Sequence, residues 1–399
     1  MFSYYEWMQN EYVIPTTIDN KEKYYNDIQN IEHSFSGRMD GGSLINTFVL
    51  EGARLLINAI VLFELGYFDC AYYSLRSAVD ISTTMVFLSD MPVADREKYF
   101  SEWKSGGEFK MQNEMIKLLS KNGNVFADMK ENMKDFFDSA KELSRKLNKY
   151  VHKQGYDNLY VTLNHPINSN RPREELIAQF EDYLRRCIGV VAVMRLAADP
   201  FPILLMDDEM LYRCFDSITD AYQEQFVDEY IGEDTINAYR KTQLFIDTYN
   251  WIMQNEKKNE ATFNVLKHNY IDTSKAEEIL SQIHLLPFYY AACAIVTFSC
   301  NKVVKVYPPL TMLFFFTEKP SIRQSRSFSS LDFKEFSESE NKFNLQYDEA
   351  LISVFSFQGE NYFAEHNEEL SEDDIKAIET SLRTYEDLIC ECCSDEELE

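Results

Sequence analysis

Basic charge is scarce in this chain relative to its length. Its 399 residues carry 39 lysines and arginines against 66 aspartates and glutamates, a formal charge of −27. A field of that sign repels nucleic acid and anionic membrane from most of the surface, so any polyanion site has to be a local reversal of charge. The N-terminal stretch MFSYYEWMQNEYVIP lacks a cationic segment followed by an apolar run, which argues against a secretory leader. The longest apolar region, LLPFYYAACAIVTFSC at 285–300, falls short of the roughly 18–20 residues a spanning helix needs, and Lys302 and Lys305 follow at once. A cytoplasmic protein with no membrane partner is expected, with 285–300 buried.

Eight cysteines are scattered along the chain, and the CECC at 390–393 has no second ligand pair at zinc spacing, so reduced thiols are expected rather than disulfides or a metal site. A P-loop, a GxSxG elbow, a dinucleotide fingerprint and HExxH are missing as well. His33, His165, His268, His284 and His366 stand isolated, so no metal and no cofactor is called for.

What is present is core-forming material: 45% hydrophobic and 14% aromatic residues, enough for two or three domains. From 42 to about 198, apolar residues recur at intervals of three and four, predicting helices over 42–66, 69–89, 92–104, 108–121, 124–153 and 172–198. Pro92 and Pro172 suit helix starts, and Gly66, Gly106, Gly123 and Gly155 mark breaks. ADPFPILL at 198–205 punctuates the chain, and 207–256 again reads as helical. VVKVY (303–307), TMLFFFT (311–317), LISVFSF (351–357) and NYFAEH (361–366) have the composition and length of strands. The serine-rich 318–341 is expected as a loop, and 371–393 as a closing helix.

The fold class is therefore mainly α. An N-terminal helical extension (1–41) precedes a helical bundle (42–199), a helical connector (200–260) and an α+β module (261–399). Residues 365–399 hold fourteen acids against Lys376 and Arg383, a local net of −12, so nearly half the negative charge sits in this tail.

SRKLNKYVHKQGY, at 144–156, is where charge reverses. Over 141–153, Lys141, Arg145, Lys146, Lys149 and Lys153 face one acid, Glu142. On the helix 124–153, Phe126, Met129, Met133, Phe136, Ala140, Leu143, Leu147 and Val151 form one apolar stripe, which should be core. At about 100° per residue, Arg145 and His152 lie roughly 20° apart and some 140–160° from that stripe, away from their own bundle. Cations at a helix C-terminus also complement its dipole, so part of the pattern has a purely structural motive. An imidazole with an ordinary pKa near 6.5 can stay neutral at cytosolic pH and so act as a base.

An arginine, six residues (KLNKYV) and a histidine near the end of a long helix resembles the signature of the HEPN superfamily, many of whose members are metal-independent RNases of toxin, abortive-infection and antiphage systems. AYYSLRSAVDIS at 71–82 is similar to a helix of several abortive-infection relatives, with Arg76 and Asp80 at its arginine and acid positions. The resemblance covers roughly 40–198. It implies a dimer in which two antiparallel helices bring the arginine of one copy to the histidine of the other. His152 would take the proton of a ribose 2′-hydroxyl and Arg145 would neutralise phosphoryl charge. Lys141, Lys146, Lys149 and Lys153 would hold the RNA backbone. Lys146 stands where active members often carry a small polar residue, and Asn148 is the candidate to take that role. Arg76 and Asp80 would support the site from the neighbouring helix or form a local ion pair. Two readings stay open: an endoribonuclease effector restrained by the second half, a regulatory partner or an inhibitor, and a non-catalytic helical protein that dimerises or binds a partner or nucleotide.

Overall fold

The computed structural model describes residues 13–37, 42–165, 171–309, 313–319 and 328–395. They divide into two compact units, the division falling in the sequence between Glu256 and Lys257. Helix dominates, with one small mixed sheet in the second unit. Residues 1–12, on which the leader reading rests, lie outside the described residues, as do the side chains of Cys390, Cys392 and Cys393.

The first unit is built from α1 (Lys21–Glu32), α2 (Gly42–Glu64), α3 (Phe68–Asp90), α4 (Val93–Lys104), α5 (Gln112–Asn122), α6 (Val125–Asn132), α7 (Lys134–Val151), α8 (Tyr160–Asn164) and α9 (Arg173–Arg195). Pro92 and Pro172 are the residues before α4 and α9, where a missing backbone N–H costs nothing. α2 and α3 form an antiparallel hairpin that turns at Gly66, whose φ is +86° and where an added Cβ would lie 2.7 Å from the Ile14 carbonyl oxygen, leaving no room for a side chain. Ring stacking ties the bundle together: Phe63 on Phe68 (4.4 Å) and on Phe180 (4.0 Å), and Tyr72 of α3 on Tyr150 of α7 (4.0 Å).

The single helix expected over 124–153 is two helices. Met133 leaves helical geometry (φ −108°, ψ 40°) while its side chain stays buried. Beside it the Asn132 amide donates back to the Asp128 carbonyl (3.0 Å), offering the backbone a local alternative to the helix.

At the end of α9, Arg195 is fully buried and satisfied. Its guanidinium donates to the carbonyls of Ser34 and Phe35 and to Asp199, which accepts from the Ser36 hydroxyl (2.6 Å). This clamp fastens the segment before α2 to the punctuation at 198–205. Of the stretch set out above as a connector, 200–260, Tyr222, Phe226, Tyr230, Ile236 and Tyr239 enter the bundle core, and the N-terminal stretch adds Ile18, Tyr24, Ile28 and Ile31.

In the second unit the strands are β1 (Tyr270–Ile271), β2 (Val303–Tyr307), β3 (Phe315–Thr317), β4 (Leu345–Tyr347), β5 (Ala350–Phe357) and β6 (Glu360–His366), in sheet order β1-β3-β2-β6-β5-β4. All pairs are antiparallel except β1 with β3. One face packs on α10 (Phe288–Ser299), the heart of the apolar 285–300, and on α12 (Glu372–Asp395). The other is roofed by α11 (Ser330–Glu338), inside the stretch expected as a loop. A capping box between Ser329 and Asp332 starts that helix, and burial of Phe336 holds it down.

Among the described residues only Leu44–Glu64, not 285–300, is long and apolar enough to cross a membrane by composition, with mean hydropathy 1.5 and 44% of its window buried. It forms α2.

A π-helical turn, Val227–Ile231, crosses α9 at Gly189, where a Cβ would collide with the Tyr230 carbonyl oxygen. Gly189→Ala should therefore destabilise the first unit by about 2–3 kcal/mol in urea unfolding, while Gly107→Ala, whose Cβ would meet only the Ser105 hydroxyl at an ordinary 3.6 Å, should stay within about 0.5 kcal/mol of wild type. Equal midpoints for the two variants would rule out a close backbone crossing here.

Candidate functional site

The polar ground between α3 and α7 starts from helical spacing. Asp69, Tyr73, Arg76 and Asp80 recur at intervals of four, three and four, so they share the side of α3 that meets α7. The Arg76 side chain is only 11% exposed and cannot be left without acceptors. Its Nε donates to Asn148 Oδ1 (2.7 Å), and its Nη1 makes a close ion pair with Asp80. Farther along the same seam, Lys153 Nζ donates to Asp69 (2.9 Å) and lies over the Tyr73 ring at 5.1 Å. Burial pulls the Lys153 ammonium down, but the Tyr73 hydroxyl and the Asp69 carboxylate outweigh it, and its pKa lies above the ordinary lysine value.

On α7 the expected stripe is core: Leu143 and Leu147 are fully buried, and Phe136, Ala140 and Val151 partly so. Tyr150, also buried, donates to Gln179 (2.9 Å), and burial pushes its hydroxyl up to about 12. Arg145 and His152 are exposed on the far side, as helical angles require. Among the described residues neither side chain forms a hydrogen bond.

The helix ends in a Schellman motif. The Lys153 N–H reaches the Tyr150 carbonyl and the Gln154 N–H the Lys149 carbonyl (2.8 Å), with Lys153 in the left-handed region at φ +50°. His152 is thus the C-cap, at the last point where α7 sets the direction of a side chain.

The structure therefore brings Asn148, Arg76 and Asp80 together and leaves Arg145 and His152 free to meet solvent. Lys141 and Lys149 are exposed. Lys146 is paired with Glu142 (2.9 Å), and that hydrogen bond holds the Glu142 carboxyl below the usual range. Asp69 and Tyr73 were missed from sequence, although the 69/73/76/80 spacing carries the signal. Arg186 was missed too: it donates to the Ser139 carbonyl (2.9 Å) and adds positive charge from α9.

No family model, curated protein or solved structure matches this chain.

Burial raises the Asp80 carboxyl above the usual aspartate range, and Arg76 opposes that rise. Arg76→Met should cost about 1–3 kcal/mol at pH 7, since it strands the Asn148 and Asp80 oxygens. Without its counter-charge Asp80 titrates higher still, and the folded variant then binds more protons than its unfolded chain. The penalty should accordingly shrink as the pH falls through that raised pKa. A deficit that is the same at pH 7 and pH 4 in denaturant titrations would show that Arg76 does not hold a carboxylate.

Proposed function

We propose that this protein is an HEPN-like, metal-independent endoribonuclease, an effector of the toxin or antiphage kind. The observation that carries it is the α7 face: an exposed Arg145 and His152 about 10 Å apart along one helix, with Asn148 between them oriented by Arg76.

In this chemistry neutral His152 removes the proton from a ribose 2′-hydroxyl, the oxygen attacks the adjacent phosphorus, and the chain breaks to leave a 2′,3′-cyclic phosphate. The planar Arg145 fork neutralises charge growing on the phosphoryl oxygens. Since Asn148 Oδ1 is taken by Arg76, its amide hydrogens are the part available to a phosphate. Lys141 and Lys149 supply sequence-independent backbone contacts. The acid-rich remainder of the chain confines RNA to this face.

A second reading, that the face only binds, draws on a different observation. Two of the four lysines assigned to RNA, Lys146 and Lys153, are already paired with Glu142 and Asp69.

Wild type should cleave RNA in the presence of EDTA, leaving cyclic phosphate ends. Arg145→Ala and His152→Ala should each lose on the order of 100-fold or more, with unchanged melting curves. Lys141→Gln with Lys149→Gln should instead weaken RNA binding and flatten its salt dependence by about one to two units of log–log slope. RNA bound by wild type without cleavage, and bound equally by both alanine variants, would favour the binding-only reading.

A further inference from the structure

The sheet of the second unit ends at β4, which pairs with β5 and has no described strand beyond it. The Val354 N–H donates to the Lys342 carbonyl (2.8 Å), so the even positions of β5 aim their N–H groups toward β4. Ala350 and Ile352 share that direction, and they stand opposite Tyr347 and Leu345. Those are therefore the hydrogen-bonded pairs, and the N–H and C=O of Gln346, between them, point out of the sheet.

Beside this edge is a groove of about 510 Å³, lined by Leu331, Lys334, Glu335 and Glu338 of α11 with Ser339 and Leu345. The four α11 residues share one flank of the helix by their spacing. The rest of the helix is anchored. Phe333 packs on Phe363 (4.8 Å between ring centres), and Asp332 accepts from the Tyr347 hydroxyl (2.8 Å), which ties α11 to β4. Leu345 and Tyr347 are two positions apart, so both side chains stand on the α11 side of the sheet. Leu331 is 78% exposed, more than any other large apolar side chain described. An apolar wall and an outward-facing main-chain donor and acceptor thus lie side by side.

We propose that the groove and the β4 edge together dock an extended, basic segment of a partner protein, which joins the sheet as a further strand. One residue of the segment exchanges two main-chain bonds with Gln346. Its neighbours then stand opposite Leu345 and Tyr347, about 4.8 Å beyond β4 and on the α11 side. The neighbour opposite Leu345 places an apolar side chain in the groove, against Leu331. Main-chain pairing supplies affinity here, and the pocket for an alternate side chain supplies selectivity.

Charge chooses the occupant. Glu335 and Glu338 line the groove, and Glu340 and Glu349 are exposed before and after β4. The cations among them are Lys334, within 3.8 Å of Glu338, and the half-buried Lys342. A second copy of this chain would bring the same acids to the same edge, and like charges set opposite one another destabilise a strand pair. Nucleic acid meets the same repulsion. Lysines and arginines on either side of the apolar residue meet carboxylates instead. None of this depends on Arg145 or His152, which belong to the other unit, so it stands apart from the ribonuclease reading.

The test uses the full chain and fluorescent peptides Lys-Arg-X-Thr-X-Arg-Lys, with X as Leu, Ile, Val or Phe, read by anisotropy. At least one should bind saturably, and its counterpart with glutamates in place of the basic residues should not. Methylating the central backbone nitrogen of that peptide should abolish binding, a check on strand pairing that leaves the protein untouched. Gln346→Pro removes only an N–H that points out of the sheet, and Leu331→Glu alters a side chain already in solvent. Each should weaken binding on the order of 10-fold with an unchanged melting curve. Glu335→Lys with Glu338→Lys should weaken it too. Failure of all four peptides to bind overturns the proposal. So does equal binding of the glutamate or methylated peptide, or binding to the Leu331 and Gln346 variants as tight as to wild type.

Discussion

The guanidinium of Arg76 constrains everything around it. It sits at the seam of two packed helices, almost out of solvent, and a group with five donors in such a place must find acceptors or impose a desolvation cost of about 1–3 kcal/mol or more. Asp80 lies on its own helix and needs no tertiary structure to be reached. Asn148 lies on α7, and its 2.7 Å bond fixes where α7 stands along α3. Apolar packing between two helices tolerates small slides, and a buried directional bond does not. Once Asn148 is fixed, helical geometry alone turns Arg145 and His152 outward on either side of it.

The end of α7 is set with similar economy. Lys153 occupies a left-handed position where glycine is usual, a conformation that costs on the order of 1 kcal/mol for a residue with a side chain. The ammonium it directs to Asp69 and Tyr73 offsets that cost and stops the helix immediately after His152. Lys153, assigned from sequence to RNA, thus has a structural job, as does Lys146 in its pair with Glu142. What remains available is the line Lys141, Arg145, Lys149 and His152, a smaller reversal of charge than a count of basic residues implies.

The helices that form the bundle were legible because each buries a stripe at the 3.6 period, and the stripe of α7 is a clear case. Met133 was not legible, because its apolar side chain keeps the stripe in register while its backbone breaks the helix. The helix at 330–338 hid within serine-rich sequence, since its signal is a capping box and two or three aromatics rather than a long periodic run. β1 and β4 are too short for alternation to register. NYFAEH was legible as a strand, but not the place of its acid: Glu365 and Lys305 are both fully buried, set opposite each other by the β2–β6 register, with the Tyr307 hydroxyl donating to Glu365 (2.9 Å). Such pairing depends on a partner some sixty residues away and leaves no local trace. The stretch 200–260 reads as a connector because punctuation at Pro200 and Pro202 is local, whereas the burial of Tyr222, Phe226 and Tyr239 in the bundle core is not.

The acidity that sets most of this chain against RNA is answered locally along the seam of α3 and α7, where Asp69 pairs with Lys153 and Asp80 with Arg76. Arg76 also holds Asn148, which sets the register of α7, and Lys153 ends that helix after His152. Neutralising the acids of α3 and fixing the direction of Arg145 and His152 are therefore one set of interactions. A chain that held α7 by apolar packing alone could slide its histidine along α3, and the bond between Arg76 and Asn148 prevents that.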